Sequence, residues 1–387
     1  MKAGLLSAFL AALLVAVTLI SQLGCSKEKE TPAAESNPWL ELLSVLPANE
    51  NTLKGAYLQD LALLEEKTDP LSSLRYPVVI NMPLFGSSPN DYSDEEWQQT
   101  LGFTQANVEQ TVYVPVPPPR LYQAVRGRFS QDDIDSAVHT GPMNEMLAVL
   151  SYQGRQYYSW GGEGDINLSM RSNVRPMGRG HRMALVDGFI FWNLWTDGIQ
   201  EMIDAHDGNI ESLADVEGYQ LLARALADLG TVSAFFSRES QSQAHVQEVY
   251  DNIINDPNNS EARQAFVEEI QTHLLLKPYQ AMASGAGIDD EGYFLAVVLL
   301  NADEASASEN ADLLEQRLAQ ATMPWQGRKW SDLTESMTVE GKGRLTIARL
   351  YGEACTFWAS FQVTGERPYE PLLLHESWGG IDIRLEQ

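Results

Sequence analysis

The chain has 387 residues, with 26 Lys and Arg against 53 Asp and Glu, for a formal net charge of −27. A surface of that sign is repelled by nucleic-acid phosphates, which excludes nucleic-acid binding as a main role, and it is repelled equally by anionic headgroups. Two cysteines cannot build a disulfide framework, and a chain this long exceeds what one core usually serves, so two lobes are expected.

The N-terminus comes first in chain order. Lys2 precedes an apolar run from Ala3 to Ile20, and Leu23-Gly24 stands directly before Cys25. A basic start, an apolar stretch and a small residue at the cleavage point make a secretory signal. With cysteine in the next place, residues 1–24 resemble a bacterial lipoprotein signal peptide. That resemblance implies lipidation of Cys25 and a body anchored on the extracytoplasmic face of a cell membrane. Gln22 stands where such signals usually carry Leu, Val or Ile. The alternatives are an uncleaved anchor, since about 18 apolar residues nearly span a bilayer, and ordinary cleaved secretion. All three place the rest of the chain outside the cytoplasm. Cys355 is then left without a cysteine partner, and its setting Ala354-Cys355-Thr356-Phe357-Trp358 reads as a buried strand rather than a nucleophile site.

Residues 25–38 are polar, charged and carry two prolines, which predicts a flexible tether. An N-terminal α+β lobe is expected over 39–211. It opens on the amphipathic stretch Trp39–Leu46 and contains a strand at Leu121–Phe129. Ser130-Gln131-Asp132-Asp133 then caps a helix reaching about Val138. Strands follow at Ala148–Tyr152 and Gln156–Trp160, with a hairpin His181–Trp195 turning at Asp187-Gly188. The proline-rich Tyr113–Pro119 reads as a rigid connector approaching a strand, and Pro77–Pro89 is a second proline-rich stretch.

A mainly helical connector is expected over 212–280. It has helices from Ser212 to Leu229, Gln243–Asn255 and Ser260–Leu276, and a strand at Thr231–Ser237. The C-terminal α+β lobe, 281–387, holds a buried strand Tyr293–Asn301, a helix Glu304–Gln320 opened by Asp303, and strands Ser336–Val339, Gly343–Tyr351 and Cys355–Gln362. The fold class is therefore α+β, with two lobes of antiparallel or mixed sheets in a split ferredoxin-like β-α-β-β order, joined by a helical segment.

Several short strings run in a common order: Leu43-Ser44-Val45-Leu46-Pro47, Tyr57–Ala62, Leu101-Gly102-Phe103, Pro117-Pro118-Pro119, Arg126-Gly127-Arg128-Phe129 and Ser212-Leu213-Ala214-Asp215. In that order the chain resembles a group of uncharacterised bacterial envelope lipoproteins. The resemblance implies an extracytoplasmic location and an α+β fold, and it transfers no catalytic residue.

Candidate chemistry is sparse. Gly161-Gly162-Glu163-Gly164, Gly178-Arg179-Gly180 and Gly285-Ala286-Gly287 lack the strand–G-x-G-x-x-G–helix order of a dinucleotide site and read as turn glycines. Asp256–Ser260 starts like a calcium loop but has Glu261 where glycine is needed. Asp289, Asp290 and Glu291 form the best acidic loop and are the candidate cation site. Six histidines are scattered without zinc spacing. No nucleophile elbow is present, and Glu201 and Asp204 have no evident partner across space. Aromatic strands at Tyr157–Trp160 and Phe189–Trp195 read first as core on a sheet covered on both sides. They also supply the candidate ligand residues Trp160, Arg179, His181, Trp192 and Trp195.

The expected role is a membrane-anchored, non-catalytic lipoprotein that binds a small molecule or an envelope protein, with no cofactor, and with a cleft between lobes as the natural site. The alternatives are an extracytoplasmic hydrolase using carboxylates and a structural or assembly factor of the envelope.

Overall fold

The computed structural model describes residues 37–68, 93–114, 121–172, 176–238, 276–320 and 328–355. Cys25, the helix expected at Gln243–Asn255, nearly all of that expected at Ser260–Leu276, the proline-rich stretch Pro77–Pro89, the part of Tyr113–Pro119 beyond Val114, the Asp256 loop and the strand beyond Cys355 lie outside them.

Within the described residues twelve strands form one antiparallel sheet. They are β1 (Ala56–Asp60), β2 (Val108–Val114), β3 (Tyr122–Gly127), β4 (Leu147–Tyr152), β5 (Arg155–Trp160), β6 (His181–Val186), β7 (Phe189–Asn193), β8 (Thr231–Ser237), β9 (Tyr279–Asp289), β10 (Gly292–Asn301), β11 (Ser336–Lys342) and β12 (Leu345–Tyr351). Their order is β11-β12-β10-β9-β8-β1-β2-β3-β7-β6-β5-β4. Seven helices cover it: α1 (Pro38–Leu43), α2 (Leu61–Lys67), α3 (Asp94–Leu101), α4 (Gln131–Thr140), α5 (Thr196–His206), α6 (Glu217–Asp228) and α7 (Glu304–Gln320).

Side-chain alternation sorts the strands into two apolar faces. On β10, Phe294, Ala296, Val298 and Leu300 join one core, while Leu295, Val297 and Leu299 join another. On β7, Phe189 and Phe191 face the first core and Ile190 and Trp192 the opposite side. The first face is one continuous core along the sheet, packed by Trp39 and Leu42 of α1, Ile199 and Met202 of α5, and Leu222 and Leu226 of α6. The second face carries two separate cores. Trp97 of α3 and Ile134 of α4 cover β3 and β5–β7. Leu64 of α2 and Leu314 of α7 cover β8–β10 and β12. The sheet is thus covered on both sides, as its aromatic runs imply, and the two halves have separate cores on one face only.

Local chemistry places several elements where the sequence predicts them. Asn37 accepts from the Trp39 and Leu40 backbone N–H groups at 3.0 and 3.1 Å, and Pro38 suits the first turn of α1. Ser130 caps α4 at Asp133, and Asp303 accepts from Ser306 N–H at 2.8 Å at the start of α7. Asp187 and Gly188 both lie at positive φ (+48° and +86°), so the β6–β7 hairpin closes in the left-handed turn that Asp-Gly favours.

Other elements differ from expectation. Ser212 binds the Asp215 carboxylate through both its N–H and its hydroxyl, at 2.8 and 2.7 Å, closing a turn, and α6 starts only at Glu217. Strand β8, inside the expected helical connector, pairs with β1 and β9, so both halves share one sheet. Strand β9 is rich in Gly, Ala and Ser and gives no apolar alternation in sequence. Its small residues are required by space: a Cβ on Gly285 would lie 2.6 Å from Ser233 O, and one on Gly287 would lie 2.3 Å from the Phe294 ring.

Candidate functional site

The anticipated aromatic residues are brought together, but beneath the helices. Trp160 ends β5 and His181 opens β6 opposite it. Their rings stack at 4.7 Å and 30°, and Trp192 of β7 lies 5.8 Å beyond His181. All three are buried, and the two tryptophans belong to the core under α3 and α4. A ligand would have to displace packing to reach them. Burial pushes the nearby Tyr158 hydroxyl well above its ordinary value, and a hydrogen bond to Asp135 pushes it further. Arg179 and Trp195 are half-buried and lie outside this stack.

The acidic loop does not gather its carboxylates. Asp289 is taken up by the Arg349 guanidinium and by the Tyr351 hydroxyl at 2.9 Å, and it also accepts from Glu291 N–H at 2.9 Å. Burial, and then this hydrogen bond, push the Tyr351 hydroxyl up to about 12. Asp290 and Glu291 are exposed at the β9–β10 turn. Among the described residues the grouping with metal-ligand spacing is Asp187, His206 and Asp207 instead. There Arg155 already bridges the two carboxylates, at 3.0 Å from Asp187 and 2.8 Å from Asp207. The Arg155 hydrogen bond, followed by that of His206, holds Asp207 below the ordinary carboxylate range. Glu201 and Asp204 are occupied as well: Tyr122 OH donates to Glu201 at 2.5 Å and Tyr152 OH to Asp204 at 2.8 Å. Cys355 is fully buried, which pushes its thiol up to about 12.

Cavities open on the surface of the described residues. One of about 600 Å³ between α3 and α4 is lined by polar groups such as Gln98, Asp133 and Thr140. Another, about 540 Å³, lies between the start of α6 and the ends of β9 and β10. Its Arg344 is already bound to Gln280 at 2.8 Å, the Asn301 carbonyl at 3.2 Å and Glu217 at 3.4 Å.

The surface feature that sequence reasoning missed is the β5–β6 loop, described at residues 161–172 and 176–180. Its two glycine clusters stand at the ends of these segments. Asn167 N–H reaches the Gly178 carbonyl at 3.4 Å, Met170 N–H reaches the Asn167 carbonyl at 2.9 Å, and Asn167 Oδ1 accepts from Ser169 N–H at 3.2 Å. Gly178 has φ +62°, and a Cβ there would sit 1.7 Å from the Asn167 carbonyl oxygen, so only glycine fits. Met177 occupies the left-handed region at φ +57° without being glycine, a strained backbone of the kind that clusters at functional sites.

The base of the loop is clamped. Helix α5 has no side-chain cap of its own, and Glu163 supplies the acceptor for Thr196 N–H at 3.0 Å. Arg182, buried beside it, donates to Thr196 Oγ1 at 3.1 Å and stands 3.6 Å from Glu163. The Thr196 hydroxyl above all, with the Thr196 N–H and Arg182, holds Glu163 below its ordinary value, against the upward push of burial. Burial lowers Arg182. Trp195 lies along Gly164, 3.5 Å from where a Cβ would stand. Trp195 and Arg179 therefore belong to the base of this loop, and Trp160 and His181 to the strand ends that carry it.

From this base the loop presents Ile166, Leu168, Met170 and Met177, exposed by 52, 67, 37 and 43%. Val149 and Leu150 of the edge strand β4 are also exposed, and of the large apolar side chains exposed among the described residues only Ile210 lies elsewhere. Exposed apolar side chains clustered on one loop are a candidate interaction surface. The signal in sequence was only the pairing of glycine clusters at both ends of an apolar, arginine-bearing segment.

Among the described residues no helix is long and apolar enough to cross a membrane. No protein-family model matches the chain and no curated protein matches it. Two crystal forms of TP0453 are similar in structure. Form III has a TM-score of 0.39 and 9% identity, covering 82% of this chain and 97% of that one. Form I has a TM-score of 0.39 and 10% identity, covering 86% and 98%.

Proposed function

We propose that the protein is a lipoprotein anchored through Cys25 on the extracytoplasmic face of a cell membrane, and that its folded body acts without catalysis by docking onto a partner. The observation that carries the docking half is the apolar display of the β5–β6 loop beside β4. Its base is fixed by Glu163 and Arg182, and backbone hydrogen bonds join Asn167 to Gly178 and Met170 to Asn167. A buried apolar contact there would be worth about 25 cal/mol per Å² removed from water, against the cost of association. The anchor half rests on the N-terminal signal ending at Cys25.

We further read the two halves as related lobes of split ferredoxin-like order. In the second half β10 and β11 are both antiparallel to β12, which lies between them, and α7 makes the crossover. In the first half β3 and β4 flank β7, β6 and β5, with α4 in the crossover. That common arrangement supports the reading.

Each half of the functional reading has its own test. In cells, Cys25→Ala is expected to abolish uptake of labelled fatty acid, and a wild-type protein that takes up none removes the anchor. For docking, Leu168→Cys is expected to react with a maleimide more slowly in intact envelopes than in the purified full chain. Equal rates mean that nothing covers the loop.

A further inference from the structure

We propose that the outer edge of β4 pairs with the same strand of a second copy, joining the two sheets antiparallel about a two-fold axis at Val149. This goes beyond the docking of the β5–β6 loop. It rests on the backbone of β4 and stands or falls without that loop.

The β4–β5 hairpin fixes which backbone groups are free. Gln153 and Gly154 form its turn, both in the left-handed region at φ +47° and +81°, and the residues flanking such a two-residue turn, Tyr152 and Arg155, bond to each other. Bonded and unbonded pairs alternate along an antiparallel ladder. Leu150 and Ala148 therefore also turn their N–H and C=O groups toward β5, while Leu147, Val149 and Ser151 turn theirs outward. The Leu147 N–H is already bound to the Asn144 carbonyl. No described strand lies beyond β4, which ends the sheet. The Leu147 carbonyl and both backbone groups of Val149 and Ser151 thus form a template for one more strand.

The devices that usually protect an edge are missing here. From Met146 to Gly154 there is no charge and no proline, and the β4–β5 register runs without a bulge. Side chains are exposed on both faces, Val149 by 45% and Leu150 by 41%. At the other end of the described sheet, β11 carries Glu340 and Lys342, charges that discourage pairing.

That uncharged run selects a second copy as the partner. With 53 acidic against 26 basic residues, most surfaces of this chain repel their own copies. A basic partner would be recruited by carboxylates, and this strand holds none. Antiparallel pairing about Val149 sets Leu147 against Ser151, Ala148 against Leu150 and Met146 against Tyr152 of the other copy, so no charge opposes a like charge. Glu145, the next charge outward, falls opposite Gln153. The two Glu145 residues then stand eight positions apart (153 less 145) along the paired strands. That is about 27 Å, well beyond the Debye length of about 8 Å at physiological salt. Carboxylates at the hairpin end are engaged within their own body: Asp204 accepts from Tyr152 at 2.8 Å and Gln153 at 2.7 Å, and Asp207 is held by Arg155 at 2.8 Å. Pairing forms four backbone hydrogen bonds, two between the Val149 residues and one from each Ser151 N–H to the other copy's Leu147 carbonyl. The same patch serves both partners, so the assembly closes as a dimer.

The test uses the full chain with Cys25→Ser in detergent micelles kept in excess over protein. Cys355 is buried, so an introduced cysteine is the one that reacts. Sedimentation over a concentration series is expected to show monomer and dimer in reversible equilibrium. Val149→Lys sets two lysines face to face and is expected to weaken the dimer about ten-fold. Val149 is exposed, so this variant is expected to melt like the parent. Under mild oxidation Val149→Cys, which meets its own counterpart, is expected to form a covalent dimer about ten-fold faster than Leu150→Cys, which faces Ala148. Ser336→Cys, on the opposite sheet edge, is expected to form none. A monomer at every concentration, or a dimer indifferent to Val149→Lys, overturns the proposal. Equal cross-linking at all three positions means that copies only share a micelle, and it overturns the proposal as well. If the purified protein is monomeric while Val149→Cys is shielded from a bulky thiol reagent in intact envelopes, a foreign strand covers the edge and the proposal falls. None of these outcomes alters the maleimide rate of Leu168→Cys, which tests the docking of the loop separately.

Discussion

At the scale of single residues, the loop depends on a few positions with no tolerance. Gly178 combines φ +62° with a carbonyl oxygen where its Cβ would be. Gly178→Ala is therefore expected to cost about 1–3 kcal/mol and to open residues 161–180 to protease. A thermal melt with limited proteolysis measures both, and an unchanged melt with an intact loop contradicts the assignment. The ionised clamps predict a direction with pH. Glu163 and Asp207 have carboxyls lowered by their partners, so each contributes stability that is present above the ordinary carboxylate value and is lost as pH falls through the lowered one. Urea midpoints are expected to fall between about pH 5 and pH 2. The fall should be shallower in Glu163→Gln with Asp207→Asn, and an equally steep fall in that double variant assigns the acid loss to other groups. Both carboxylates are near the surface, so solvent screening keeps the effect small.

Among the elements, the same short run of chain contains packing and display side by side. Trp160 is fully buried and Leu168, eight residues later, is 67% exposed. Trp160→Ala is expected to cost about 3–5 kcal/mol, whereas Leu168→Ala should stay within about 0.5 kcal/mol. Chemical denaturation of the two variants decides this, and a destabilised Leu168→Ala would mean that the loop packs as core. This contrast also shows what was legible beforehand. The β6–β7 hairpin, α4 and α7 were readable because turn and cap residues state their backbone geometry locally: Asp187-Gly188 needs positive φ, and Ser130 and Asp303 need an N–H to accept. Burial of the aromatic runs was readable from alternation. Strand β9 was not, since a strand squeezed between neighbours on both sides selects for absence of bulk, and that leaves no apolar period. The loop was opaque for the opposite reason. Ile, Leu and Met read as core in any sequence, and only the fold shows that no described helix covers them.

For the molecule as a whole, the two halves meet at a single short strand. Residues Ala56–Asp60 pair with β2 on one side and with β8 on the other, a partner about 175 residues further along the chain. The continuous first core crosses the same boundary, with α6 supplying Leu222 and Leu226. A chain synthesised N-terminus first completes β1 through β7 while the outer edge of β1 still waits for Thr231–Ser237, and an uncharged run, Ala56-Tyr57-Leu58-Gln59, faces other copies in the meantime. The order of emergence thus creates an interval of vulnerability that the finished protein does not show. A fragment of residues 37–230 is expected to self-associate under conditions where the full-length body stays dispersed, and light scattering on the two settles it. A monodisperse fragment would mean that the first half shields its own edge. Otherwise the seam makes early folding a race between the arrival of the second half of the chain and the nearest neighbouring strand.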